Sequence, residues 1–419
     1  MKPLLLGPPV QLDDEAERVL WAKMQALRQC FLYANCAPVL RGKKLSLQNK
    51  AELAGQAVGV VQGIIHFLLS RGISFENADP AHGAGHLARD FLGALRLALG
   101  KPAPITPGEL FVGVLGGALH DIGCLVGFRY RDADMLLGHA EMGALLLQEA
   151  FASKSFGLDG VEQLCLGYAV AAHTHYLRLR KVTGAGGRTY VLEPYPDSFN
   201  EDQPMWFVWL TRWADRLELL CPPYVGRHWL TMFASHQDFD QRAGFYEKSF
   251  GEHMRPTLKD SQGRPTMLGR FSMLCDAKQN QPYNRLDSRV MVGLRESNSQ
   301  RMAKIITAVF GGGQEIGNGR EEKILLAWEL FLGGNVEPTE IGRQAAATLI
   351  GNFRALSQKT RRPWLAGFAC AMREYILWAQ ETLAFMGGLN EKWLALPGVS
   401  NDLREIIRPK KEWVDLLRV

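Results

Sequence analysis

The stretch Ile105–Gly123 reads ITPGELFVGVLGGALHDIG, and its reading decides the fold. Thr106, Pro107 and Glu109 form the signature of a helix start: a capping hydroxyl, proline at the first helical position and glutamate three residues on. An apolar run follows with no period-two alternation, so it reads as a buried helix rather than a strand. The run ends on two adjacent polar side chains, His120 and Asp121, with Gly123 placed to stop the helix. A buried carboxylate is costly unless it is paired or bound to a cation. The pair therefore needs a partner. The apolar run is read as the wall of a site, with Gly113, Gly116 and Gly117 letting a neighbouring helix approach.

Working outward, helical periodicity dominates and convincing strands are nearly absent. Helices are expected over 13–34, 48–70, 139–152, 160–178 and 205–220. Another is expected in NADPAHGAGHLARDFLGALRLALG, with Asp79 as N-cap and Pro80 at the first position. Between the last two helices lies KVTGAGGRTYVLEPYPDSFNEDQP (181–204), read as a long lid or substrate-contact loop. Residues 235–300 give no clear pattern. The segment VFGGGQEIGNGREE (309–322) reads as a linker. No strand precedes its glycines and no Gly-Lys-Ser/Thr follows, which argues against a phosphate loop. Helices return at 320–333, 337–358 and 363–386, rich in aromatic residues. The fold class is all-α, with an N-terminal helical segment at 1–45, a domain at 46–255 carrying the site, and a helical C-terminal domain at 256–419 of unassigned role.

Composition sets the outer bounds. The 419 residues are 47% apolar and 22% charged, an ordinary balance for a globular protein, and the net charge of +5 is mild for the length. It does not by itself argue for nucleic acid or an anionic membrane. The seven cysteines are scattered without a CxxC pair, which fits a reducing cytoplasm better than a disulfide framework or zinc ribbon. The N-terminus, broken by two prolines and followed by acids, is not a signal peptide, and no uninterrupted apolar run reaches membrane-spanning length. Small basic patches at RRPW (361–364) and RPKKEW (408–413) leave nucleic-acid binding open but not favoured. Trp328, Trp364, Trp378 and Trp393 read as core.

The chemistry-bearing residues follow in the order His86, His120-Asp121, His139, His173, Asp215, each group separated by enough chain to finish one helix and enter the next. Any one histidine on an apolar face is more often a satisfied core residue, and His66 in GIIHFLL is read that way. Several of them near helix ends, beside small residues, point instead to a shared ion. Imidazoles and carboxylates are the ligand set of divalent ions such as zinc, manganese or iron. Four histidines and two aspartates exceed what one ion with open positions requires, so two ions are the better count.

This order resembles the HD superfamily of metal-dependent phosphohydrolases. HLARDFLGALRLA is similar to its first histidine helix, GGALHDIG to its His-Asp motif, GHAEMGALLL and AVAAHTH to its third and fourth histidine motifs, and LTRWADRLELL to its closing aspartate. The resemblance covers residues 80–220, about a third of the chain. It implies an HD-type helical bundle with the metals between the helices. It also implies His86, His120, Asp121, His139, His173 and Asp215 as ligands, with Asp121 bridging and central to catalysis. His173 is favoured over His175, because it follows the small-residue run Ala169–Ala172. The chain lacks the Gly-Tyr-Pro signature of the cyclic-dinucleotide phosphodiesterases of that superfamily.

The implied activity is hydrolysis of a phosphoester, a nucleotide or related small molecule, at a site holding two divalent ions (Mn, Fe, Zn or Mg). Such ions lower the pKa of water and stabilise charge on phosphoryl oxygens. His82, His175, Arg129, Arg131, Arg178 and Arg180, with Lys181 beside them, are candidates for holding the substrate. Arg212 and Arg216 flank Asp215 and are placed to orient it. The same ligands would also serve an HD-fold di-iron oxygenase. A metal-stabilised module that binds a nucleotide or partner and signals through the C-terminal region is a third reading. The oligomeric state is not readable.

Overall fold

The computed structural model describes residues 14–33, 36–43, 50–77, 82–100, 105–126, 139–173, 180–183, 189–192, 205–219, 222–227, 257–263, 266, 269, 289–310, 319–336, 338–397 and 402–417. They are overwhelmingly helical, and the fold is all-α. Two compact units emerge: residues 1–216 with 389–403, and residues 217–388 with 404–419. These bounds differ from the 45/46 and 255/256 divisions read from the sequence. The N-terminal helices pack within the first unit, and a late segment of the chain returns to it.

The first unit is built from α1 (Asp14–Tyr33), α2 (Cys36–Gly42), α3 (Lys50–Ser70), α4 (Ala84–Leu99), α5 (Pro107–Leu119), α6 (His139–Ser153), α7 (Gly160–Ala172) and α8, which starts at Trp206 and ends at Leu219. Helix α5 is central, touching α2, α3, α4 and α7, while α1 lies on α6. Every residue from Gly108 to Leu119 is buried, so α5 is apolar all round because protein surrounds it on every side. Two stretches, Glu52–Ser70 and Pro107–Val126, are long and apolar enough to cross a membrane by composition alone, and 94% of the second is buried inside the fold. The return segment carries a short 3₁₀ turn, Glu391–Leu394, against α3. There Gln62 donates to the carbonyls of Ala395 (2.6 Å) and Lys392 (3.2 Å), and Trp393 lies over Gly55, where any side chain would meet its indole.

Local chemistry sets most helix ends. The Thr106–Glu109 capping box forms as expected, with Pro107 at the first position. An equivalent box opens α7, where Asp159 accepts from the amides of Val161 and Glu162. Lys43 ties that box to the end of α2 through Asp159 (2.7 Å) and Glu162 (2.5 Å). Other ends depart from the sequence reading. Helix α4 starts at Ala84 with Gly83 as a bare N-cap, and Asp79 and Pro80 lie outside the described residues. Helix α5 ends at Leu119 and gives way to a 3₁₀ turn, Ile122–Val126, so Gly123 is not its stop. Gly123 instead permits contact: a Cβ there would lie 2.7 Å from the amide nitrogen of Gly143 in α6. Helix α7 ends at Ala172, short of the expected 178. The segment read as a long loop contains an antiparallel pair, β1 (Arg180–Thr183) and β2 (Thr189–Leu192), with Arg180 opposite Leu192.

The second unit contains helices Arg289–Phe310, Arg320–Phe331, Glu340–Arg354 and Gln358–Gly387, followed by short helices near the C-terminus. Its core is aromatic: Trp328 stacks on Phe368 with ring centroids 4.6 Å apart, and Phe331 meets Tyr375 and Trp413 edge-on. Trp328, Trp364 and Trp378 are buried in this core as expected, while Trp393 is half-buried in the first unit. The cations of the RRPW patch face acid, since Arg361 and Arg362 both pair with Glu321.

Candidate metal centre

Five helices deliver their ends or inner faces to one point. Helix α4 presents His86 from its first turn. Helix α5 stops at Leu119, so His120 becomes its C-cap and Asp121 sits in the turn that follows. Helix α6 opens on His139, and α7 closes on His173 as its C-cap. Side chains at helix ends can converge where mid-helix residues on parallel axes would be held apart. Helix α8 is drawn against α5 by the glycines: a Cβ on Gly113 would lie 2.6 Å from Leu210, and one on Gly117 would lie 2.7 Å from Ala94 and 3.1 Å from Ala214. Gly116 faces Thr211 in the same way. This close approach sets the position of Asp215, the next residue after Ala214 on α8.

Asp121 is the centre of the cluster. Its Oδ2 lies 2.8 Å from His86 Nε2 and 3.4 Å from His120 Nε2, whereas its Oδ1 lies 3.0 Å from His139 Nε2 and 3.3 Å from His173 Nε2. Each carboxylate oxygen thus faces one histidine pair. Asp215 falls within 4.8 Å of the His86 and His120 ligand atoms and is half-buried. All six residues expected from the sequence are brought together.

The hydrogen bonds fix which nitrogens point inward. His120 Nδ1 lies 3.0 Å from the Gly117 carbonyl, and His173 Nδ1 lies 2.6 Å from the Val170 carbonyl. A carbonyl only accepts, so each Nδ1 carries its proton and each Nε2 of the neutral ring turns a lone pair toward the carboxylates. His139 Nε2 and His173 Nε2 face each other at 3.1 Å, and at most one of the two can hold a hydrogen between them. Converging lone pairs and carboxylates in a buried space repel unless cations lie among them. This donor set, nitrogen and oxygen from four histidines and aspartates on a divided carboxylate, fits divalent transition ions. Among the described residues, three groups of ligand atoms lie close enough to hold an ion: His86, Asp90, His120 and Asp215; His120, Asp121 and His173; and Asp121, Cys124 and His139.

The protonation directions agree with that frustration. Burial opposes the charged form of His120, but Asp121, Asp90 and Asp215 outweigh it and push its pKa up to about 10. Burial pushes His173 down to about 4, helped by the charge of His120 and His139 against the pull of Asp121. Burial would raise Asp121, yet the neighbouring His120 and His139 hold it well below the usual carboxylate range. Without metal, a proton on His120 takes part of a cation's place.

Two residues near the centre were not read as part of it. Asp90 stands one helical turn beyond His86 on α4, fully buried, with Oδ2 3.1 Å from His86 Nε2 and 3.2 Å from His120 Nε2. Its signal was the His86-to-Asp90 spacing, which puts both on one helix face; beside Arg89 it reads as a solvated charge pair. Cys124, three residues past Asp121, places its sulfur within ligand reach of Asp121 and His139. Of the substrate candidates, His82 is buried with its ring 5.9 Å from His86 and 6.4 Å from His139. It precedes α4, so it reaches the cluster from a bend and not from the helix face it was expected to share with His86. Arg180 and Lys181 lie on β1. Arg129, Arg131, His175 and Arg178 lie outside the described residues. Arg212 is buried and donates through Nε and Nη2 to the Ala172 carbonyl at 3.2 and 2.5 Å, which fastens the end of α7 beside His173. His66 lies on an exposed face of α3, so the expectation of a core histidine there is corrected. Compared with protein-family models, curated proteins and solved structures, the chain matches none.

Proposed function

We propose that the chain is a metal-dependent hydrolase of the HD kind, cleaving a phosphoester of a nucleotide or related small molecule with two divalent ions at the His/Asp centre. The observation that carries this reading is the divided Asp121 carboxylate, with one oxygen on His86 and His120 and the other on His139 and His173. A single ion does not need that division, and a structural histidine cluster does not need it either. His86, His120, Asp215 and Asp121 Oδ2 would hold one ion, and His139, His173 and Asp121 Oδ1 the other. Bound there, the ions would act as Lewis acids on a phosphoryl oxygen and on an attacking water.

The chain's own groups prepare that chemistry. The low pKa of Asp121 keeps it ionised throughout the neutral range, so both oxygens stay available. The Gly117 and Val170 carbonyls hold the His120 and His173 rings with Nε2 inward, a backbone anchor that removes ring rotation as a cost of loading. Leu110, Val114, Leu115 and Ala118 are buried along α5, which ends at this site. His82, with its ring 5.9 Å from that of His86 and 6.4 Å from that of His139, is assigned to substrate. Arg180, Arg129, Arg131, Arg178 and His175 are assigned to the phosphate from their sequence positions.

The test is a panel of nucleotides, cyclic dinucleotides and simple phosphate mono- and diesters, offered to protein loaded with Mn, Fe, Zn or Mg. Phosphoester hydrolysis that disappears in Asp121→Ala, with the helical circular dichroism retained, is the expected result. No hydrolysis of any member with any of these metals would overturn the reading, and oxygen uptake by the iron-loaded protein would replace it with an oxygenase.

A further inference from the structure

We infer that Asp90 is a seventh metal ligand, which makes the two ion positions unequal: a carboxylate-rich position that keeps its ion and a second that exchanges it. The inference rests on the metal reading of the same centre. Two ligand atoms about 2.1 Å from an ion lie about 3.0 Å apart when at right angles and about 3.4 Å apart when tetrahedral. Asp90 Oδ2 lies 3.1 Å from His86 Nε2 and 3.2 Å from His120 Nε2, within that range for both. Asp121 Oδ2 faces the same two nitrogens at 2.8 and 3.4 Å. Asp90 Oδ2 therefore stands from both imidazole nitrogens at the spacing of ligands round one ion, and His86, Asp90, His120 and Asp215 place ligand atoms within 4.8 Å of one another.

The other role open to a buried carboxylate here is orienting a ligating histidine. Such a partner accepts from the ring nitrogen that does not bind metal. For His120 that nitrogen is Nδ1, and the Gly117 carbonyl already takes it. Asp90 faces Nε2 in both rings, the nitrogen that Asp121 also faces. It is on the ligand side.

With Asp90 included, the first position has five protein donors: His86, Asp90, His120, Asp121 Oδ2 and Asp215. The second has His139, His173 and Asp121 Oδ1, with Cys124 nearby. More anionic donors around one ion slow its release, so the first position holds the resident ion.

The test measures metal content by elemental analysis before and after a brief exposure to chelator, using manganese-loaded full-length protein. Wild type is expected to carry two ions and retain one. His173→Ala is expected to retain that resident ion. Asp90→Asn, isosteric and uncharged, is expected to lose it more than about tenfold faster, since even outer-sphere changes cost about 10- to 100-fold in affinity. If Asp90→Asn keeps wild-type content and release, the assignment of Asp90 is overturned while the metal centre stands. If wild type carries no ion, the metal reading itself fails. Anomalous diffraction from manganese-loaded wild-type crystals decides independently of the variant's folding: Asp90 Oδ2 within about 2.3 Å of a peak supports the inference, and a separation beyond about 3 Å overturns it.

Discussion

Asp121 is asked to do two things with one side chain, and each oxygen has its own histidine pair. Asp121→Asn keeps the shape but removes the charge and turns one oxygen into a donor. It is expected to abolish turnover and to lower metal content, which kinetics and elemental analysis together would read. His120 gives a pH signature. In the metal-free protein its pKa rises from the ordinary 6.5 to about 10, so the folded state binds this proton more tightly than the unfolded one. The stabilisation is therefore fully present below the unfolded value of 6.5 and is lost as pH rises toward 10. Loading must expel the same proton, so metal affinity is expected to climb through that window, with proton release seen by calorimetry in buffers of different ionisation enthalpy. An affinity flat with pH there would contradict the assignment. The six spaced ligands were legible because each stands as an oddity in an apolar or small-residue context. Asp90 was not, because a charge one turn along an amphipathic helix has an ordinary surface reading until the fold is seen to bury it.

At the scale of the element, the centre depends on where helices stop and how near they come. Helix α5 ends one residue before His120, and α7 one residue before His173. Gly116 faces Thr211 across the α5–α8 contact, so Gly116→Val forces the helices apart. Overpacking of this kind costs about 1–3 kcal/mol, and it would move Asp215 with α8. A thermal melt should show the loss of stability, and weaker metal retention should accompany it; an unchanged melt would contradict the packing. By contrast, Thr106→Ala removes only the α5 cap, at a cost of about 1 kcal/mol, and metal content is expected to stay at wild-type level. The capping box and the tight-packing glycines could be read from residue chemistry alone. The end of α4 could not: Asp79 and Pro80 are a good start signal, but the helix begins at Gly83 and Ala84 instead, leaving His82 free to enter from a bend. The β1–β2 pair was hidden because its four-residue strands are too short to show a period among turn-forming neighbours.

On the scale of the whole molecule, the chain builds two cores, and the His/Asp centre belongs wholly to the unit formed by residues 1–216 and 389–403. The division was not legible because helix α8 runs through residue 216 without a break in composition, and nothing local announces that residues 389–403 rejoin α3. Ligand binding stabilises only the state that binds. Chelation is therefore expected to lower the unfolding temperature of the first unit, reported by the buried Trp209 and Trp213 of α8, more than that of the second, whose core holds Trp328 and Trp364. Calorimetry with single-tryptophan variants would separate the two. The central claim is that this unit holds two ions on a divided aspartate. Its most direct test is elemental analysis of protein purified without chelator: the account predicts about two transition-metal ions per chain, falling in Asp121→Ala. Protein that carries no ion, and takes up none when offered Mn, Fe or Zn, would contradict it.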